Sequence, residues 1–405
     1  MESIIEIQNL NYEINNKRIL DNICLKVKEG ELVGLIGPNG AGKTTLLKCL
    51  NGIYKAEGTV KVNGVLIDRM SNKSLAEKIA LMHQNTQIGF PFPAKEVVLM
   101  GRYPYLKRMQ RESKEDFKIA RKNMEYTDTE KLEDCAINEM SGGERQRVLF
   151  AKTLTQQTDI ILLDEPTASL DITYQEQIFK YARDLSEQGK TVLAAIHDLK
   201  IAAKYCTRLV LMNDGKIVSD GSPEEVLTSM NLSRVYGVNA LVYKNRITGL
   251  LDIYIHKVNE KNKSVRFHVI GGGGTAGSVL RQLYEQGYYV SAGVFFQGDS
   301  DIASAEVFGI DYLVEKPFSS ITDRLFNENL AYIEKAHTTV LCNMPLGFQN
   351  IRNLEAAEQA EKLVIIEDDL PETRDFTGGK AGEIYNRLKS KAVAVINSSR
   401  LHEVL

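Results

Sequence analysis

A glycine-rich loop at residues 37–45 has the composition of a phosphate-binding site. It contains the pattern Gly-x-x-x-x-Gly-Lys-Thr. Glycines let backbone N–H groups converge on phosphate oxygens, the lysine supplies positive charge, and the threonine hydroxyl can bind Mg²⁺. We therefore predict that this loop holds the phosphates of a nucleotide. The predicted contacts are Gly37, Pro38, Asn39, Gly40, Ala41, Gly42, Lys43, Thr44 and Thr45.

Two acidic residues follow an apolar run further along the chain. Asp164 and Glu165 come directly after residues 160–163, Ile-Ile-Leu-Leu, which predict a buried strand. A carboxylate at a strand end suits a Mg²⁺ contact, and a neighbouring glutamate can act as a general base. An exposed turn before Pro166 is the alternative interpretation.

Two further segments complete the candidate chemistry. Ser141, Gly142, Gly143 and Glu144 would form an anion site at the start of a helix, and the same Ser-x-x-Glu spacing is also a capping box. His197 follows the apolar run 191–196 and is the one histidine of six placed at a predicted strand end.

The elements around these residues predict an α/β domain. Residues 32–36 form a short apolar run that ends at the glycine loop, and residues 45–50 predict the helix after it. Asn-Gly and Asn-Asp-Gly turns near residues 63 and 214 predict hairpins. Residues 96–129 are expected to be largely helical.

In this order, the segments resemble the nucleotide-binding subunit of an ABC (ATP-binding cassette) transporter over about the first 240 residues. The resemblance implies ATP and Mg²⁺ as cofactors, Glu165 as the catalytic base and His197 as the switch histidine on the γ-phosphate, with Lys43 on the phosphates. Residues 141–144 would be the signature that reaches the nucleotide of an opposite subunit, so the active form would be a dimer. Met140, just before this segment, and Glu144, its last residue, stand where the commonest version has Leu and Gln. This variant occurs in iron-complex importers.

The resemblance also assigns residues that no local pattern marks. Gln84 lies where the family has its Q-loop, which senses Mg²⁺, so the implied metal contacts are Thr44, Gln84 and Asp164. Asp171 lies in the D-loop position, and Tyr12 lies where many relatives stack an aromatic ring on adenine.

The segment Gly101-Arg102-Tyr103-Pro104 resembles importers of ferric siderophores, haem and cobalamin. That implies a membrane permease dimer as partner, an extracytoplasmic binding protein as an indirect partner, and a peripheral position on the cytoplasmic face of the membrane. An importer ATPase for another cargo, regulated by a ligand of the C-terminal region, is an alternative. A soluble ABC ATPase of translation or DNA repair is another; the single cassette with a short helical insert favours transport.

Composition agrees with a soluble protein of more than one domain. The chain has 405 residues, a net charge of −3 and five scattered cysteines without a Cys-x-x-Cys pair. This gives no electrostatic case for nucleic-acid binding and favours a reducing compartment. No apolar run approaches about 18 residues, so no membrane-spanning helix is expected.

A second glycine-rich loop predicts a second domain. We expect an ABC ATPase domain over 1–240, a bridging segment over 241–264, and a smaller parallel-sheet, Rossmann-like domain over 265–405. The pattern Gly-x-Gly-x-x-Gly falls at Gly272, Gly274 and Gly277 after a predicted strand. Because residues 290–294 carry no acid for a ribose, and Asp299 and Asp301 come late, a phosphate-bearing ligand that tunes the ATPase fits better than NAD. An inert scaffold is the alternative.

Overall fold

The computed structural model describes residues 3–83, 89–167, 172–246, 248–256 and 264–403. The chain divides into two compact units. The first runs to Gly237 and includes Gly249–Asp252, and the second comprises Val238–Thr248 and everything from Ile253 onward. Within the described ranges, no helix has both the length and the apolar character needed to cross a membrane.

Among its described residues, the first unit contains two sheets and nine α-helices. Its strands are β1 Ser3–Ile14, β2 Lys17–Lys28, β3 Leu32–Ile36, β4 Glu57–Val62, β5 Val65–Leu66, β6 Ile79–Met82, β7 Ile160–Asp164, β8 Thr191–Ala195, β9 Arg208–Asn213 and β10 Lys216–Gly221. Its helices are α1 Lys43–Leu50, α2 Asn72–Ala76, α3 Ala94–Leu99, α4 Lys114–Tyr126, α5 Gly142–Thr155, α6 Ile172–Glu187, α7 Leu199–Tyr205, α8 Pro223–Val226 and α9 Ser229–Tyr236.

The larger sheet of this unit positions the candidate site. Its order is β10-β9-β3-β8-β7-β6, and all neighbours are parallel except β9 and β10. Every residue of β3, β7 and β8 is buried, as their continuous apolar runs predict. Because the carboxyl ends of parallel strands share one edge of a sheet, the glycine loop, Asp164 and His197 are brought together there.

The smaller sheet has the order β2-β1-β4-β5 and packs through a shared hydrophobic cluster with α1 and the central strands. Residues 96–129 are largely helical, as expected, but the helical stretch is interrupted. A 3₁₀ helix, Met100–Tyr105, follows α3, and α4 begins only at Lys114. The first helical stretch contains Pro104 and ends at Tyr105, and Ser113 starts the next with a capping box.

The second unit is built around a six-stranded parallel sheet. Strands β11 Asn239–Lys244 and β12 Leu251–His256 pair as a separate two-stranded sheet, and β12 begins within the Gly249–Asp252 segment counted with the first unit. The remaining strands are β13 Arg266–Ile270, β14 Tyr289–Phe296, β15 Asp311–Glu315, β16 Thr338–Leu341, β17 Leu363–Ile366 and β18 Ala394–Ile396. The helices are α10 Gly277–Glu285, α11 Ser300–Val307, α12 Asp323–Lys335, α13 Ile351–Ala357, α14 Pro371–Arg374 and α15 Lys380–Lys391.

The order of that sheet is β15-β14-β13-β16-β17-β18, with every pair parallel. Counted from the first strand, this is the 3-2-1-4-5-6 order of a Rossmann fold, so the predicted fold class is confirmed. A buried polar network joins its interior. His268 bonds Ser291 and Asn329 at 2.9 and 2.8 Å, and burial lowers the pKa of His268 to about 4.

Candidate active site

The glycine loop wraps closely around the side chain of Lys43. Its Nζ donates to the carbonyl oxygens of Gly37 and Pro38 at 2.7 and 3.1 Å, and the residue is only 4% exposed. Gly37 has φ 146°, and a Cβ there would lie 2.2 Å from the carbonyl oxygen of Met212, so no larger residue fits. Burial lowers the pKa of Lys43. The loop thus places a buried ammonium group at the N-terminus of α1.

Thr44 and Asp164 meet across the site. The Thr44 hydroxyl donates to Asp164 Oδ1 at 2.6 Å, and Asp164 is 2% exposed at the end of β7. Burial raises the pKa of Asp164, and the Thr44 hydrogen bond opposes that shift. A hydroxyl beside a carboxylate is a set of oxygen donors that fits Mg²⁺. Gln84, the third predicted metal contact, lies outside the described residues.

Glu165 and His197 face each other beside the loop. His197 Nε2 and Glu165 Oε1 are in close contact, with the Glu165 side chain 13% exposed. Both residues line a cavity of about 440 Å³ together with loop residues 39–45 and with Lys17 and Ile19. The structure therefore brings the loop, Glu165 and His197 into one cavity. A carboxylate held there by an imidazole can accept a proton from a water molecule beside a bound phosphate.

The Ser-Gly-Gly-Glu segment begins α5. Ser141 accepts from the Glu144 amide at 3.3 Å, and Glu144 Oε2 accepts from the Ser141 amide at 2.9 Å, which confirms the capping box. The hydrogen bonds from Ser141 lower the pKa of Glu144. None of residues 141–144 is among the described residues that line the 440 Å³ cavity. Within one chain, this segment therefore supplies no contact to it.

Tyr12, the predicted adenine contact, lies outside the 440 Å³ cavity. Tyr12 stacks on Tyr54 with ring centroids 5.0 Å apart and does not line the cavity. Lys17 and Ile19 of β2 line it instead, and no sequence motif marks them. Stacking of Tyr12 on adenine stays a prediction, and Asp171 lies outside the described residues.

The segment that suggested the importer subclass contains a structural arginine. Arg102 is 8% exposed and bonds Asp116 at 2.8 Å, the Thr155 carbonyl at 3.1 Å and Gln157 at 3.0 Å. A Cβ on Gly101 would lie 2.4 Å from the Lys152 carbonyl oxygen. These two residues hold α4 and α5 together.

The second glycine loop contacts two acids that follow β14. Residues 290–294 within that strand carry no acid, and Asp299 and Asp301 come three and five residues after its last residue, Phe296. Asp299 Oδ2 accepts from the Gly273 amide at 2.8 Å, and Asp301 Oδ1 accepts from the Gly277 amide at 2.9 Å.

Comparison with known sequences separates the two units. Residues 20–168 match the ABC transporter family, and residues 290–401 match the MJ0874 family. The chain is 35% identical over 322 residues to the cobalamin import ATP-binding protein BtuD of Halobacterium salinarum, covering 79% of this chain and 80% of that protein. It is 36% identical over 264 residues to the hemin import ATP-binding protein HmuV of Plesiomonas shigelloides, covering 61% and 99%.

Solved structures agree with these matches. An ATP-binding cassette of an ABC transporter in its ADP conformation aligns with a TM-score of 0.53 at 26% identity, covering 58% of this chain and 98% of that one. The cbiO1 protein of Clostridium perfringens, part of the ABC transporter complex cbiONQ, aligns with a TM-score of 0.51 at 29% identity, covering 58% and 94%. The chain therefore belongs to the ABC transporter family as an ATP-binding subunit of an importer, an enzyme that couples ATP hydrolysis to transport.

Proposed function

We propose that this subunit energises uptake of cobalamin, haem or an iron–siderophore complex. The observation that carries the proposal is the length of the match to the cobalamin import protein. Its 322 aligned residues exceed what the first unit, which ends its main segment at Gly237, can supply. The similarity therefore extends beyond the cassette common to all ABC proteins, and cobalamin is the favoured cargo.

The residues of the cavity take complementary roles in hydrolysis. Lys43 and the amides of the glycine loop would hold the β- and γ-phosphates, and Thr44, Asp164 and Gln84 would hold Mg²⁺, which neutralises phosphate charge. Glu165 would accept the proton of the attacking water. His197, in contact with Glu165, would orient that carboxylate and reach the γ-phosphate.

A second copy of the chain would complete each site. Residues 141–144 do not line the cavity of their own chain, which supports their action on a nucleotide bound by the opposite copy. The dimer would sit on the cytoplasmic face of the membrane against a permease dimer. An extracytoplasmic binding protein would deliver cargo to that permease, and no nucleic acid would be involved.

The test is ATP hydrolysis by the full chain, alone and with its permease in lipid vesicles. We expect a low rate alone and a severalfold higher rate with the permease. The rivals are a soluble ABC ATPase outside transport and an importer for an unrelated cargo. Equal rates with and without the permease would favour the first, and stimulation without any response to cobalamin, haem or ferric siderophore would favour the second.

A further inference from the structure

Two segments of the second unit present large apolar side chains to solvent. The first, residues 343–350, follows β16, and the second, residues 367–379, follows β17. Phe348 in the first segment is 58% exposed, and Leu370 and Phe376 in the second are 67% and 70% exposed. Grouped apolar side chains that stay this exposed mark interaction sites. We call Phe348, Leu370 and Phe376 the apolar face.

Backbone hydrogen bonds hold the two segments side by side. The Leu346 amide donates to the Arg374 carbonyl oxygen, and the Phe376 amide donates to the Leu346 carbonyl oxygen, each at 2.8 Å. Arg374 is 6% exposed, and its Nη1 atom donates to the Met344 carbonyl oxygen at 2.8 Å. The apolar face is therefore carried on an ordered frame, and a partner can bind it without first ordering a loop.

Two charges of opposite sign flank the apolar face. Lys380 begins α15, and its Nζ lies 5.6 Å from the centre of the Phe348 ring. Glu372 lies in α14, between the two apolar residues of the second segment. Both side chains are exposed, and neither has an ion-pair partner in the part of the chain that the structure describes. An apolar centre with one positive and one negative flank is complementary to a second copy of itself related by a twofold axis.

The exposed fractions limit the size of the contact that the apolar face can make. They amount to roughly 300–500 Å² of side-chain surface on one copy, since a large side chain presents about 150–250 Å². Two such faces would bury roughly 600–1,000 Å², which is less than the area of about 1,200–2,000 Å² in a stable independent complex. The apolar face would therefore not hold two free chains together.

The dimer proposed above would supply the missing part of the interaction. Two cassettes that share their nucleotides would bring two second units into one complex, each attached to its cassette through the same chain. Tethering raises the effective concentration of one unit for the other into the millimolar range. A contact too small for free chains can then form inside the dimer.

We propose that the apolar faces of two copies of this chain bind each other within the ATP-bound dimer, with Lys380 beside the partner subunit's Glu372. This inference rests on the dimer of the proposed function, and it adds a contact between second units that the cassettes do not require. Because the contact forms only while the cassettes are together, it stabilises the ATP-bound dimer and links the second units to the nucleotide state.

The test measures the dissociation constant of the ATP-bound dimer of the full Glu165→Gln chain by analytical ultracentrifugation. Phe376→Asp should raise this constant at least about tenfold, since it places a charge in the apolar contact of both copies. Phe318→Asp is the matched control. Phe318 is a 91% exposed phenylalanine that follows the edge strand β15, which β14 and β13 separate from β16, and its substitution should leave the constant unchanged.

Charge reversal tests whether the partner is a second copy. Lys380→Glu and Glu372→Lys should each weaken the dimer about threefold to tenfold, because each replaces two attractive contacts with two repulsive ones. The double variant Lys380→Glu/Glu372→Lys restores opposite charges across the twofold axis, so its dissociation constant should return to within about twofold of the parent value. A permease or a lipid surface on the apolar face would not produce this reciprocal rescue.

Three results would overturn the proposal. They are a dimer that Phe376→Asp leaves unchanged, a double variant no tighter than either single charge reversal, and binding of the wild-type chain to phosphatidylglycerol vesicles that Phe376→Asp abolishes. The charge reversals alter only exposed side chains, so they decide the question even if Phe376→Asp fails to fold. If ATP produces no dimer of the Glu165→Gln chain, this contact and the dimer of the proposed function both fail, whereas a dimer indifferent to the apolar face contradicts this contact alone.

Discussion

Substitution of Glu165 separates nucleotide binding from hydrolysis. Glu165→Gln exchanges one carboxylate oxygen for an amide and preserves the side-chain volume in a position that is 13% exposed. The remaining oxygen can still accept from His197 Nε2, so the cavity should keep its shape. The change removes only the negative charge and the ability to take a proton.

The size of the effect follows from that loss. A positioned general base contributes about 10²–10⁴-fold to rate, which is roughly 3–5 kcal/mol of barrier. We therefore expect the turnover number to fall by at least about 10²-fold. Affinity for ATP should stay the same or increase, because a negative charge beside the γ-phosphate site is removed.

The assay pairs phosphate release with equilibrium binding of a fluorescent ATP analogue. Glu224→Gln is the control, since Glu224 is exposed in the first turn of α8. This control variant should hydrolyse ATP at the wild-type rate. The Glu165→Gln variant should also accumulate as an ATP-bound dimer, which size-exclusion chromatography would detect. A Glu165→Gln rate within threefold of wild type would refute the base assignment and point to His197 or another group.

Three further changes test other parts of the account. Lys43→Ala should weaken ATP binding at least tenfold, because it removes the buried charge of the loop; titration with the fluorescent analogue measures this. Asp164→Asn should raise the Mg²⁺ concentration needed for half-maximal hydrolysis, because the carboxylate beside Thr44 loses its charge. His268 is neutral when folded, with its pKa lowered by burial from 6.5 to about 4, so protonation favours the unfolded state. The free energy of unfolding is therefore highest above pH 6.5 and falls as the pH drops toward 4, by about 3 kcal/mol in all. Urea denaturation at several pH values in this range should show that the free energy of unfolding depends less steeply on pH for His268→Gln than for wild type.

Much of the cassette could be predicted because its chemistry lies in contiguous motifs. The loop at 37–45 and Asp164 each follow a continuous apolar run. Such a run is the sequence pattern typical of a parallel strand that is buried on both faces. Lys17 and Ile19 could not be found this way. They reach the cavity through the pairing of β2 with β1, and their types are ordinary for a half-exposed strand.

In the second unit, local sequence patterns predicted only part of the structure. Strand β15 was not predicted, because it is a short edge strand with acids at both ends and alternating burial. The glycine pattern predicted the loop but not its partners. Asp299 and Asp301 lie 26 and 24 residues beyond Gly273 and Gly277 in the sequence, and the turn after β14 brings them to the amides of those glycines.

Uptake by cells tests the central claim most directly. A strain that lacks this gene would be complemented with the wild-type chain or with Glu165→Gln, and uptake of labelled cobalamin, haem and a ferric siderophore would be measured. The account predicts that uptake of one of these, with cobalamin favoured, is lost on deletion, restored by the wild-type chain and not restored by Glu165→Gln. Unchanged uptake of all three in the deletion strain, with no second copy of the gene to compensate, would contradict it.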